Sequence, residues 1–153
     1  MKFLVGDLLL LDRGYPCMAL MFTLQQRRIE FCMRLKGTWW LEAERMLMQG
    51  FTDKVVTFRL PPKDKHLQME YLVSEPTITC RLVVIELETG EKEVLCTSLL
   101  NEKKYPLDCF KELYHLRWIL RKLINCINAE PDEMYSQVKR HEISNRIFMR
   151  RCL

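Results

Sequence analysis

The sequence lacks the features that mark membrane, secreted and highly charged proteins. No apolar run reaches the roughly 18 residues that a membrane-spanning helix needs. The apolar stretch Met1–Leu11 contains Asp7 and precedes no small-residue cleavage site, so we expect neither a membrane span nor a signal peptide. Of the 153 residues, 48% are hydrophobic and 29% are charged, which excludes a disordered tail, a collagen-like fibre and a highly charged nucleic-acid-binding arm.

Disulfide and zinc frameworks are not indicated either. The seven cysteines are odd in number and form no C-x-x-C pair, and the three histidines are scattered. Reduced thiols in a cytoplasmic protein are the simplest account.

The net charge of +4 is unevenly distributed. Residues 1–118 contain 17 basic and 16 acidic side chains, whereas residues 119–153 contain 7 basic and 4 acidic ones. The field of the body is therefore too weak to predict a nucleic-acid partner from charge alone.

The first third of the chain predicts a βαβ unit. The apolar run Leu8–Leu11 is typical of a strand buried in a parallel sheet and is followed by Asp12. Pro16 suits a helix start, helical spacing continues to about Arg28, and Ile29–Leu35 predicts a second strand.

The middle of the chain predicts antiparallel β-structure after a short helix over Glu42–Gln49. Strands are expected at Val55–Leu60, Tyr71–Val73, Thr77–Leu87 and Glu93–Ser98. The last two flank a turn at Thr89-Gly90 and predict a hairpin.

A helix is predicted over Pro106–Leu123. Its spacing places Tyr114, Arg117 and Arg121 on one face. Beyond Pro131 the pattern is weak, with Glu142–Leu153 a thinly amphipathic helix candidate.

Each candidate site residue has two interpretations. Asp12 is either a turn-forming residue or a carboxylate pointing into the crevice at the carboxyl end of a parallel strand. The late-helix face is either core packing, with Arg117 reaching solvent, or part of that same crevice.

Two blocks together resemble the DDE transposases of bacterial insertion sequences. "GDLLLLDRGYPCMALMFTLQQRRIEFCMRLK" is similar to the block around the second aspartate of that family, with D-R-G-Y at the strand end. "LYHLRW" is similar to the start of its signature Y-x-x-R-x-x-x-E-x-x-x-x-x-x-K. The resemblance covers residues 3–118, and the family also has a β-rich insertion between these blocks.

The resemblance implies an α/β fold, a partial ribonuclease-H-like core with an antiparallel β-rich insertion. The core would comprise residues 1–36 and 100–128, the insertion 37–99, and an irregular or weakly helical tail 129–153. Upstream strands are expected, so the sheet would have an exposed edge.

The family activity implied is Mg²⁺-dependent DNA cleavage and strand transfer, in which three carboxylates hold the metal ions. Asp12 would be a catalytic metal ligand. Arg117, Tyr114 and Arg13 would contact the DNA backbone at transposon ends.

The chain departs from this pattern at two signature positions. Arg121 stands where the family has Glu, and Asn128 stands where it has Lys. The first Asp is expected upstream of this chain. A guanidinium in place of a carboxylate repels Mg²⁺, so we do not expect this chain alone to catalyse strand transfer.

The departure begins after Trp118. Back-translating Ile119 onward with permitted codons and reading from the third base gives IEEAYKLHKCR, which restores the Glu and Lys of the signature. Our hypothesis is out-of-frame translation of residues 119–153. The alternative is a divergent tail whose basic residues contact DNA.

Two further functions stay open. The chain could bind transposon ends, or assemble with full-length transposase, without cutting. It could also be a nuclease that takes its missing carboxylates from a separate polypeptide. The partners implied are DNA at transposon ends and either a second copy of this chain, in a homodimer, or a full-length transposase, in the bacterial cytoplasm.

Overall fold

The computed structural model describes residues 4–14, 16–35, 40–116 and 147–149. The strands are β1 (Leu8–Leu11), β2 (Glu30–Arg34), β3 (Asp53–Arg59), β4 (Thr77–Glu86), β5 (Lys92–Thr97) and β6 (Ile147–Met149). The helices are α1 (Met18–Gln26), α2 (Leu41–Gln49), α3 (His66–Glu70) and α4, which is helical over 107–116. A single 3₁₀ turn at Pro62–Asp64 precedes α3.

The strands form one mixed sheet in the order β3-β4-β5-β2-β1-β6. β1 and β2 are parallel and are joined through α1, whereas every other neighbouring pair is antiparallel. β5 hydrogen-bonds directly to β2, so the hairpin and the βαβ unit share a sheet. The division into a core and an insertion stays a prediction.

Each face of the sheet has its own apolar core. Leu9 and Leu11 pack on the side of α1, α2 and α3, whereas Leu10 packs on the side of α4. The same alternation runs along β2, where Phe31 and Cys32 belong to opposite cores. The sheet is therefore covered by helices on both faces, which explains why β1 is apolar throughout.

α4 is anchored to the sheet by a buried arginine. Arg81 is 1% exposed, donates to Asp53 through Nε (2.8 Å) and Nη2, and donates to the Tyr105 carbonyl (2.7 Å). Its guanidinium carbon lies 5.3 Å from the centre of the Phe110 ring. The hydrogen bonds and charge of Asp53 raise the pKa of Arg81 despite its desolvation. The contact with Phe110 fixes the first turn of α4 over β4.

The α/β class and the βαβ unit are confirmed, as are the short helix over α2 and the β4–β5 hairpin. The hairpin turn contains Gly90 with a φ of +80°. The finer ribonuclease-H-like assignment stays a prediction.

The expected strand at Tyr71–Val73 is wrong. The Tyr71 backbone N–H donates to the Leu67 carbonyl and ends α3, and Leu72 has a φ of +51°. The aromatic and β-branched composition of this segment favoured a strand, but these residues terminate a helix instead.

The tail also differs from the expected helix over Glu142–Leu153, because residues 147–149 form β6. β6 pairs antiparallel with β1 through Leu8, Leu9 and Leu10. Backbone hydrogen bonds to an open strand edge outweigh a thin helical pattern. β6 covers the edge of β1 over these residues, and the expectation that the sheet has an exposed edge stays a prediction.

Within the part of the chain that the structure describes, no helix has the length and apolar character needed to cross a membrane.

Candidate functional site: an arginine–carboxylate cluster

Asp12 and Arg34 lie side by side at the carboxyl ends of the two parallel strands. Leu11 is in register with Met33, so the residues that follow each strand position are neighbours. Strand alternation places Arg34 on the α4 side, two residues after Cys32. The Arg34 Nη1 atom is 3.8 Å from Asp12 Oδ1, an ion-pair distance.

Glu93 reaches the same point from β5. β5 is antiparallel to β2 and pairs Leu95 with Arg34, which puts Glu93 two residues further along on the same face. Glu93 is 3% exposed and accepts from Arg34 Nε at 2.5 Å and from Arg34 Nη2. It also accepts from Arg13 Nη2 at 2.5 Å. One buried carboxylate therefore binds two arginines.

Tyr114 covers this cluster from α4. Its ring centre lies 5.6 Å from the Arg34 guanidinium carbon, within the range of a cation–π contact. Tyr114, Arg34 and apolar neighbours line a cavity of about 10 Å³, room for about one water molecule. We name Asp12, Arg13, Arg34, Glu93 and Tyr114 the polar cluster.

Arg34 is held in its charged form by these neighbours. Burial by itself would lower the pKa of its guanidinium. The hydrogen bonds and the charge of Glu93, followed by Tyr114 and Asp12, outweigh that effect and raise the pKa. The polar cluster therefore contains two cations and two anions at any pH at which the carboxylates are ionised.

Asp12 makes a contact that fits the turn-forming interpretation, and its interpretation as a crevice carboxylate stays a prediction. Its Oδ1 accepts from the Arg13 backbone N–H at 2.8 Å, which is the turn-forming role. It also lies near Arg34, which the Tyr114 ring contacts. The structure thus brings Asp12, Arg13 and Tyr114 together, while Arg117 lies outside the described residues.

The residues present do not fit a Mg²⁺ site. Among the residues that the structure describes, no three His, Cys, Asp or Glu side chains are grouped so as to hold a metal ion. Glu93 accepts from the guanidinium groups of Arg13 and Arg34, and Nη1 of the same Arg34 flanks Asp12. A cation beside the carboxylates opposes the binding of a second cation.

Arg34 and Glu93 are the members that the sequence did not reveal. Arg34 ends the predicted second strand and Glu93 begins the last one. A signal existed in their alternation with Cys32 and Leu95, which places each polar residue on the same sheet face as its apolar neighbour. The pairing of β5 with β2, which joins the two residues, is a tertiary feature.

A larger cleft of about 770 Å³ lies between the β4–β5 turn and α4, and Tyr114 borders it as well. Charged groups around it include Glu86, Glu88, Glu112 and Lys111. Three carboxylates and one ammonium group make this cleft unfavourable for phosphate groups. The positively charged side of the polar cluster is the side of Arg13.

Trp40, which directly precedes α2, has a packing role. It is 7% exposed and its ring centre is 4.3 Å from that of Phe58.

The described chain is a mixed α/β protein with a buried arginine–carboxylate cluster at the carboxyl ends of its parallel strands. No protein-family model, curated protein or solved structure matches it.

Proposed function

We propose that the chain is a segment of a bacterial insertion-sequence DDE transposase that binds DNA ends and has no strand-transfer activity of its own. The observation that carries the proposal is the convergence of Asp12 and Tyr114, from the two blocks that resemble the family, on Arg34. These blocks are about a hundred residues apart in sequence, and a chance resemblance has no reason to bring them together.

The DNA backbone is the ligand that suits the polar cluster. Guanidinium groups bind phosphate through paired N–H donors, and the Arg13 side chain is 45% exposed beside the more buried Arg34. In this proposal Arg13, Tyr114 and Arg117 contact phosphates near the transposon end, and Arg34 joins them. These contacts position the DNA and carry no sequence information directly.

The lack of activity follows from the charges. The family chemistry needs carboxylates that hold divalent metal ions, whereas Asp12 and Glu93 are both next to guanidinium groups here. Asp12 remains the candidate catalytic carboxylate only in an assembly in which another polypeptide supplies further carboxylates.

DNA binding tests the proposal directly. The full chain is titrated into a labelled duplex carrying the inverted repeats that flank its gene, and into a shuffled duplex of the same composition. Binding to both duplexes that weakens as the NaCl concentration rises, with no Mg²⁺-dependent nicking, supports the proposal, because phosphate contacts do not depend on sequence. No binding to either duplex, or nicking by the chain alone, contradicts it.

The same duplex distinguishes the nuclease alternative from a chain that only binds DNA. The chain is mixed with a polypeptide carrying the strands expected upstream, and nicking is measured in Mg²⁺. Nicking that appears only in the mixture and disappears with Asp12→Asn would favour a divided nuclease.

A dominant-negative module is the second candidate, favoured by the same observation that Arg13 is accessible while the carboxylates are paired. The test adds the chain to an active transposase of the family type and measures strand transfer. Inhibition by the wild-type chain, relieved by Arg13→Gln, supports this role.

A further inference from the structure

We infer that Glu93 is a positioning residue that fixes Arg13 and Arg34 in one geometry for binding phosphate, an inference that rests on the proposed function. Glu93 lies in the segment between the two family-like blocks and has no counterpart among the residues that the resemblance singles out. Its role is visible only in the contacts of the folded chain.

Glu93 joins two arginines that come from distant parts of the sequence. It is 80 residues from Arg13 and 59 residues from Arg34 in the chain, yet it accepts from both guanidinium groups at 2.5 Å. A free arginine side chain samples many rotamers. A common acceptor therefore sets the distance between the two positive groups.

The hold on Arg34 is bidentate. Glu93 accepts from Nε and Nη2, which fixes the plane of the guanidinium, while Nη1 points toward Asp12 at 3.8 Å. The Tyr114 ring covers the same guanidinium at 5.6 Å. An arginine fixed in this way loses less conformational freedom when it binds a phosphate.

The accessibility of the three groups differs in a way that suits this role. The side chains of Glu93, Arg34 and Arg13 are 2%, 13% and 45% exposed, in that order. The carboxylate thus lies innermost and the arginines extend outward from it. A phosphate approaching from solvent would meet Arg13 first and would not contact Glu93.

Charge alone and positioning predict opposite effects of neutralising Glu93. Glu93→Gln removes one negative charge beside two arginines, so Coulomb attraction alone would strengthen DNA binding. If Glu93 positions the arginines, the same substitution weakens binding, because the amide keeps one acceptor oxygen and presents an NH₂ donor in place of the other, so the bidentate hold on the Arg34 guanidinium is lost.

The test measures the affinity of the full chain for a short labelled duplex over a series of NaCl concentrations. We expect Glu93→Gln to bind several-fold more weakly than wild type. The slope of log K against log salt should fall by about 0.9 for each phosphate contact that is lost.

Glu91→Gln is the matched control. It makes the same charge change two residues away on the exposed hairpin turn, where the residue is outside the polar cluster. We expect it to bind at least as tightly as wild type with an unchanged slope. If Glu93→Gln behaves like Glu91→Gln, the positioning role is wrong.

A double-mutant cycle separates positioning from general stability. In the Arg13→Gln/Arg34→Gln background, Glu93→Gln should have no further effect on the salt slope, because the groups through which it acts are gone. A slope that still falls in that background overturns the inference.

Glu93→Asp decides the matter if Glu93→Gln does not fold. This substitution keeps the charge and shortens the side chain by one methylene, so the slope of log K against log salt should also fall. A wild-type slope in folded Glu93→Asp contradicts positioning. Failure of the wild-type chain to bind the duplex at all contradicts the proposed function and this inference with it, whereas wild-type binding with unchanged variants contradicts the inference alone.

Discussion

Arg34 and Glu93 form a bidentate ion pair between neighbouring strands although 59 residues separate them in the chain. The pair is nearly buried, with side-chain exposures of 13% for Arg34 and 2% for Glu93. It links the end of the βαβ unit to the start of the last hairpin strand.

Replacing Arg34 by Gln should destabilise the fold. The substitution leaves the Glu93 carboxylate buried with Arg13 as its remaining arginine partner. We expect the free energy of unfolding to fall by about 3 kcal/mol, the low end for breaking a buried pair. Urea denaturation followed by circular dichroism measures the loss.

Arg45→Gln is the control for that loss. Arg45 is 62% exposed on α2 and pairs with Glu42 on the surface, so its removal should leave the urea midpoint near that of wild type. Equal losses in both variants would show that the burial of the Arg34 pair carries no special weight.

Phe110→Ala should loosen α4. The Phe110 side chain is 1% exposed and its ring lies over the buried Arg81 guanidinium. Removing the ring creates a cavity and leaves the cation without its aromatic partner, for an expected loss of about 3 kcal/mol. Leu116→Ala, on the exposed end of the described helix, should change stability by less than about 0.5 kcal/mol.

The helix also supplies Tyr114, so Phe110→Ala has a second consequence. The tyrosine should no longer be held against Arg34, and the quenching of its fluorescence by acrylamide should increase. If quenching stays at the wild-type level in the folded variant, α4 is not anchored through Phe110.

Gly90→Ala should weaken the β4–β5 hairpin for backbone reasons alone. Gly90 has a φ of +80°, and a methyl group added there would meet no atom within 4 Å. The expected cost is about 1 kcal/mol, the strain of an L-residue in the left-handed region. Gly14→Ala is the control, since Gly14 has equal space but no positive φ; it should not lose stability.

Alkaline pH should destabilise the protein through Cys96. Burial, with a smaller contribution from the neighbouring Cys80, raises the pKa of the Cys96 thiol well above 9.0. In the unfolded chain the thiol ionises at its ordinary pKa, whereas burial in the folded chain keeps it neutral to a higher pH. The contribution of Cys96 is therefore complete below pH 9 and is lost as the pH rises toward the folded pKa.

The measurable quantity is the slope of the free energy of unfolding against pH. Above pH 9 the free energy of unfolding should fall by up to about 1.4 kcal/mol per pH unit on account of this thiol. Cys96→Ala should remove that part of the slope even though its overall stability is lower. Cys17→Ala, at an exposed position, should keep the wild-type slope; an unchanged slope in Cys96→Ala would contradict the assignment.

Local sequence patterns predicted most of the regular elements, but the predicted type of one short segment was wrong. The apolar run of β1, the helical spacing of α1 and the β-branched run of β4 are signals that need no tertiary information. Tyr71–Val73 had strand-like composition, but its backbone closes α3 through a hydrogen bond to Leu67. A composition rule cannot detect such a contact, because the short helix of which it is part depends on packing around Leu67.

The candidate site was predicted only in part. Asp12 and Tyr114 carry local signals, a strand end and a helix face, and they were identified on that basis. Arg34 and Glu93 carried weaker ones, because a charged residue at a strand end is usually a solvated group.

The sequence by itself determined that this is an α/β chain with a parallel strand pair and a hairpin, because the periods of two and 3.6 residues are set by backbone geometry. Only the tertiary structure decided that β5 lies beside β2, and hence that Glu93 meets Arg34. Strand order depends on contacts between segments far apart in the chain, and the free energy of those contacts is a property of the packed sheet rather than of any one segment. The charge of the site, and with it the preference for a phosphate over a divalent metal ion that we propose, follows from that strand order.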